Sequence, residues 1–346
     1  MTIKEDLSMY NRAYMEQWMK TLRSQLNIPA IPASFLDQCQ AVHEMHATLR
    51  EAEKQRDKLP DREKAEADER ISSISASYDE ALRIFQSMGT RILTEDPFAV
   101  IMADGYEDNN LTTLVVLKEL CDKQKWDGSC SSEFLSFLRH EDGGLLRRFL
   151  QAGGARHGAY PLAVQLFHQL LPMVKTQSDE YQNLFERLAM AVALELCDPV
   201  PYFHGNGKVE AIPRYEHYQN AFLRGELDPN FEFFSVWELR HVINCDATNE
   251  ELEWGRESLR NFRPGLVYLR DPKWRYCRIV RTDVPPRKPD WYKEPRSYDQ
   301  ILSGGGRCGP RAWYGRFICR AFGIPVWGAK QPGHAAVSSF HCHERP

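Results

Sequence analysis

Cys308 and His334, near the end of the chain, have the types, order and settings of a nucleophile and its base. A thiolate attacks carbonyl carbon readily. A neutral imidazole within reach takes the thiol proton, or the two exist as a thiolate–imidazolium pair. Cys308 follows Gly304, Gly305 and Gly306, which admit a tight backbone path, and it lies between Arg307 and Arg311. Pro310 suits the first position of a helix, and Gly323 followed by Pro325 marks its stop. Between them Trp313, Phe317, Ile318, Ala321 and Phe322 supply an apolar face. The spacing therefore predicts a helix opening just after Cys308, whose dipole and free N–H groups favour a thiolate.

The elements that must position the pair follow from the neighbouring residues. IPVWGA reads as a short strand after the helix, KQPG as a turn, and HAAVSSF as a second strand opened by His334. His334 lies 26 residues after Cys308 (334 − 308), just enough for one helix and one strand between them. Residues 266–283 (LVYLRDPKWRYCRIVRTD) alternate in part and are rich in Tyr, Trp, Ile and Val, which predicts an extended segment. Pro285, Pro286, Pro289 and Pro295 exclude regular structure over 284–296 and predict a loop just upstream of the site.

Further upstream the apolar periodicity is helical. Leu7, Tyr10, Tyr14, Trp18 and Leu22 share one face of a helix over 5–26. Ser34 suits the N-cap of a second helix carrying Leu36, Cys39, Val42, Met45 and Leu49. The charge-dense stretch 51–70, broken by Pro60, reads as the arms of a helical hairpin. Further helices are expected at 111–123, 132–151, 160–174, 178–197, 213–225, 235–244 and 249–262, the last opened by a Thr248–Glu251 capping box. The Pro- and Gly-rich stretch 198–210 is the best linker candidate. The expected organisation is a helical domain over 1–200, a helical extension over 201–265 and a core over 266–346.

The run from Gly306 to Ala336 resembles the core of the transglutaminase-like superfamily, whose Cys, His and Asp lie in that order on helix, strand and strand. The longer stretch 211–337, from RYEHYQNAFLRGELDP through WELRHVINCD, RYCRIVRTDV and GGRCGPRAWYGRFICRAFGIPVWG to PGHAA, is similar to uncharacterised, mostly bacterial proteins with that domain. The resemblance implies an α+β fold class: a mainly helical N-terminal region followed by a papain-type α+β domain. It implies Cys308 as nucleophile, His334 as base and Trp274 as the upstream aromatic that steadies the oxyanion. The implied chemistry is attack on an acyl carbonyl to give a thioester, released to an amine or to water. A protein or peptide is the implied substrate, and no cofactor is implied. The family's orienting aspartate follows its histidine. No Asp occurs here after Asp299, and Glu344 is the one later carboxylate. The expectation is a core with shortened C-terminal strands and an incomplete triad. The alternative is a helical scaffold that retains a relic of the domain and does no chemistry.

Whole-chain properties narrow the classes further. A net charge of −4, with charged residues of both signs at 27%, gives no electrostatic reason to expect a nucleic acid partner. No apolar run approaches the ~20 residues that cross a bilayer, and MTIKEDLSMYNRAYMEQWMK lacks a secretory pattern, so a cytoplasmic setting is expected. Nine scattered cysteines without a CxxC pair favour reduced thiols, with Cys319 as core packing. His341, Cys342 and His343, with His334, have metal-capable side chains, but neighbours on an extended tail point apart and chelate poorly. His43, His46 and His204 lack partners at ligand spacing and read as solvated. The sequence leaves the oligomeric state open.

Overall fold

The computed structural model describes residues 12–26, 30–95, 109–123, 132–140, 144–175, 179–269, 275–289, 297–331 and 334–339. The chain divides into two compact units, Lys20–Leu111 and a larger one made of Met1–Met19 with Thr112–Pro346. The first described helix is α1 (Arg12–Gln25).

In the smaller unit, α2 (Ala33–Arg56) and α3 (Asp61–Thr94) form the hairpin that Pro60 predicts. Phe35 stacks on Phe85, Gln38 donates to the Ala81 carbonyl, His46 lies against Tyr78, and Arg56 holds Asp68. One number falls as the other rises, so the arms run antiparallel. Ser34 is not the cap. The helix opens after Pro32, whose fixed φ sets the first turn without a side-chain bond.

The larger unit contains α4 (Asn109–Lys123, from residue 112 on), α5 (Ser132–His140), α6 (Gly144–Gln151), α7 (Tyr160–Lys175) and α8 (Asp179–Leu196). The centre of α8 is fully buried, and α7 packs on it. Then come α9 (Ala211–Leu223), α10 (Val236–Ile243), α11 (Asn249–Phe262) and the single turns α12 (Pro264–Val267) and α13 (Ile279–Thr282). α14 (Tyr298–Gly304), α15 (Cys308–Ala321) and the antiparallel strands β1 (Val326–Gln331) and β2 (His334–Ser339) complete it.

The expected α+β class with a papain-type domain is corrected by this architecture. The described residues are 75% helical and hold two short strands in one small sheet. Residues 266–283 were expected to be extended, but their described parts are helical turns. Here tertiary contacts override β-propensity. The Tyr276 ring stacks on Phe322 at 4.3 Å, and Tyr276 Oη and Arg275 Nη1 both donate to Asp228, each at 2.7 Å. Those anchors hold the segment in turns against the end of α15. The stretch 198–210 is a closed loop: Pro201 bridges to Lys208, and the Phe203 N–H donates to the Asp246 carbonyl at 2.7 Å.

Two buried side-chain donors fix the C-terminal end of α15. Tyr218 Oη donates to the Arg320 carbonyl at 3.0 Å, and Arg256 Nη1 donates to the Ala321 carbonyl at 2.9 Å. The Arg320 carbonyl also accepts the Gly323 N–H at 2.9 Å, whereas the Ala321 carbonyl takes its donor from Arg256. Arg256 Nη1 also lies 3.0 Å from His217 Nε2, which must then accept and be neutral. Burial, followed by the Arg256 charge, pulls the His217 imidazolium down to about 2 from 6.5. A depressed value stabilises the fold above the unfolded value of 6.5, and that contribution is lost as pH falls from there toward about 2. His217→Gln keeps an acceptor but does not titrate. Denaturant titrations at pH 7 and pH 5 are expected to show the wild type losing more stability than this variant, by up to about 1.4 kcal/mol per pH unit. Equal losses would remove His217 as a source of acid lability.

Candidate active site

α14 ends in Gly305, whose φ of 79° and close approach suit only glycine. A Cβ there would lie 2.4 Å from the Pro285 carbonyl oxygen. At Gly306 a Cβ would lie 2.5 Å from the Pro310 ring, and the Gly306 N–H donates to the Pro285 carbonyl at 2.9 Å. The glycines thus let the chain pass between the 285 turn and the next helix. That helix begins at Cys308, earlier than Pro310 suggests, so Cys308 is its first residue and Pro310 its third. Proline is tolerated there because first-turn N–H groups have no helical acceptor anyway.

Cys308 is half-buried, and Arg307 before it is exposed. Arg307 supplies no side-chain cap. Among the described residues, the N–H groups of Cys308 and Gly309 find no acceptor. Arg311, one turn on, is occupied: its Nε and Nη2 donate to the Val280 carbonyl at 3.2 and 2.6 Å. Cys308 is therefore the first residue at the positive end of a 14-residue helix, where its own N–H and that of Gly309 have no acceptor among the described residues.

β1 runs back along α15. Arg320 Nη2 donates to the Val326 carbonyl at 3.0 Å, and a Cβ on Gly328 would lie 3.6 Å from Arg316. Cys308 lies about 12 Å along the helix from Arg316 at ~1.5 Å per residue. Gln331 lies about 10 Å along the strand from Gly328 at ~3.3 Å per residue. Gln331 pairs with His334, so the hairpin returns His334 to the end of α15 that carries Cys308.

Register then decides the direction of the ring. Residues directly opposite in an antiparallel pair share a face, and side chains alternate along each strand. His334 therefore shares a face with Gln331, Ala329 and Trp327, whereas Gly328 and Val326 belong to the face turned on α15. The Trp327 ring lies 5.8 Å from that of His241 on α10. His334 is exposed, and no hydrogen bond joins it to Cys308. The fold brings the two residues to one end of α15 but does not pair them. Trp274, Glu344 and His341–His343 lie outside the described residues.

Beside this end of α15 lies an ionisable cluster that pattern reading misses. Trp313, whose ring lies 3.9 Å from a Cβ placed on Gly309, meets Phe203 edge-on at 5.4 Å. The next residue, His204, is only partly exposed and lies 3.6 Å from Glu251 through Nε2. Glu251 Oε2 caps the Thr248 N–H at 3.0 Å, and Oε1 faces the Tyr298 N–H at 3.5 Å. Burial pushes the Glu251 carboxyl above the usual carboxylate range, against the pull of the Thr248 N–H and His204. The capping box was legible in sequence. Its second contact was not, because His204 lies 47 positions earlier (251 − 204) in an irregular loop.

Among the described residues, no helix is long and apolar enough to cross a membrane, and no group of three or more His, Cys, Asp or Glu side chains is placed to hold a metal ion. No protein-family model, no curated protein and no solved structure matches this chain, so what its side chains do rests on their geometry.

Proposed function

We propose that the chain performs acyl transfer or amide hydrolysis through a thioester on Cys308, the chemistry implied by its resemblance to the transglutaminase-like superfamily. The observation that carries the reading is the setting of Cys308 at the first position of α15, beside two N–H groups that find no acceptor among the described residues. The sulfur attacks an acyl carbonyl, and its oxygen takes up negative charge as the tetrahedral intermediate forms. Donors fixed at a helix N-terminus meet that charge without reorganisation. Collapse expels the amine with a proton and leaves the thioester, which water or a second amine then cleaves. A protein or peptide amide is the proposed substrate.

A second reading is a helical scaffold in which Cys308 does no chemistry. It is favoured by the exposed ring of His334, on the hairpin face turned from α15. Alkylation separates the two. The folded chain is treated with substoichiometric iodoacetamide near neutral pH, and each thiol is quantified by peptide mass spectrometry. Cys39, exposed on α2, serves as the ordinary thiol of the same molecule. Cys308 is expected to react about tenfold or more faster than Cys39, and His334→Ala to slow it. If Cys308 reacts no faster than Cys39, with or without His334, the enzyme reading fails.

A further inference from the structure

Two thiols outside the Cys308 site lie in contact. Cys319, on the buried face of α15, is hydrogen-bonded to Cys277, in the turn before α13. Independent contacts hold the turn in place. The Tyr276 ring stacks on Phe322 at 4.3 Å, three residues beyond Cys319 (322 − 319), and the Asp228 that anchors Arg275 and Tyr276 donates its own N–H to the Phe322 carbonyl at 2.9 Å. Cys319 is 3% exposed, whereas Cys277 is half-buried. Cys277 is thus the more accessible residue of the two. The hydrogen bond to Cys277, with burial, holds the Cys319 thiol well above the ordinary cysteine range, so Cys319 is the poorer first nucleophile.

We propose that Cys277 and Cys319 are a reversible disulfide site, closed by hydrogen peroxide or a related peroxide and opened by a small dithiol. In the first step the Cys277 sulfur attacks a peroxide oxygen. The O–O bond breaks, an S–O bond forms, and hydroxide leaves to be protonated to water. In the second step the Cys319 sulfur attacks the Cys277 sulfenic acid. The S–S bond forms, the S–O bond breaks, and the departing hydroxide takes the Cys319 proton. The balance is two thiols and one peroxide giving one disulfide and two waters. The buried partner acts as resolving thiol, and its proximity diverts Cys277 from further oxidation.

The bond would act on the wall of the Cys308 site. The segment that carries Cys277 goes on to place the Val280 carbonyl on Arg311 and the Pro285 carbonyl on the Gly306 N–H, on either side of Cys308. Oxidation therefore clamps residues 275–285 to α15. This inference is independent of what Cys308 does.

The test exposes the full chain to peroxide, blocks remaining thiols with N-ethylmaleimide under denaturing conditions, and digests it without reductant for mass spectrometry. A peptide linking Cys277 to Cys319 is expected, with loss of maleimide from both and recovery of both after dithiothreitol. Cys277→Ser, a small change at a half-buried position, should abolish the link and leave Cys319 free. Because the linked peptide is read in the wild type, the result does not depend on a Cys319 variant folding. Cys277 recovered as sulfinic acid beside a free Cys319, or a link joining another pair instead, overturns the proposal.

Discussion

Arg214→Ala is expected to remove about 3–5 kcal/mol from the larger unit, a large fraction of what holds a domain together. Arg214 is fully buried at the start of α9. Its guanidinium donates to Asn249 Oδ1 at 2.7 Å and to the carbonyls of Ile243, Cys245 and Ala247 at 3.5, 3.1 and 2.5 Å. Asn249 Nδ2 in turn donates to the Pro213 carbonyl at 3.1 Å. The end of α10, the start of α11 and the start of α9 are thus held by one side chain. Alanine leaves a cavity and strips the Cys245 and Ala247 carbonyls of their donor, each worth about 1–3 kcal/mol when buried unpaired, while the Ile243 carbonyl keeps the Cys245 N–H at 2.7 Å. Arg214→Lys keeps the charge without the planar fork and should fall between the two. Urea unfolding followed by far-UV circular dichroism reads the effect. A midpoint for the alanine variant within error of wild type would mean that water or relaxation replaces the clasp.

No pattern in the sequence announces that clasp, because helical periodicity marks where apolar side chains face and says nothing of an arginine that reaches across three elements. What was legible was local. The Thr248–Glu251 cap, the break at Pro60 and the C-terminal strand pair each depend on residues a few positions apart, and each is present, although Lys330 and Gln331 belong to β1 and not to a turn. What failed needed distant partners. Tyr276 and its neighbours have strand-like composition, yet Phe322 and Asp228 hold them in turns. The papain-type expectation overreached for the same reason, since a Cys–helix–strand–His order is compatible with a mainly helical fold bearing one hairpin. At the site, the pattern put Cys308 beside a helix start and His334 at a strand start, and α15 and β2 open on those two residues. The face of His334 was not legible, because a one-residue change of register would reverse it while leaving the sequence equally plausible.

Cys308 and His334 can be tested as a pair. An activated ester such as p-nitrophenyl acetate needs little help from a leaving-group acid, so it reports on the nucleophile and its base. The folded chain is expected to release a burst of p-nitrophenol and to gain one acetyl group, mapped to Cys308. Cys308→Ala should abolish both, since no other described thiol stands at the start of a helix with unpaired N–H groups. His334→Ala should slow acylation by about 10²-fold or more if the ring serves as general base, the usual range being roughly 10²–10⁴. His334 is exposed and pairs with Gln331 at the Cys308 end of the helix, on the strand that would carry the base. Stopped-flow absorbance with intact-mass analysis separates the outcomes. Acetylation of Cys308 unaffected by His334→Ala would assign the proton elsewhere, and the His204–Glu251 pair beside Trp313 is then the next base to remove. Equal acetylation of the Cys308→Ala variant would end the nucleophile reading, because the free donors of α15 would then serve no thioester.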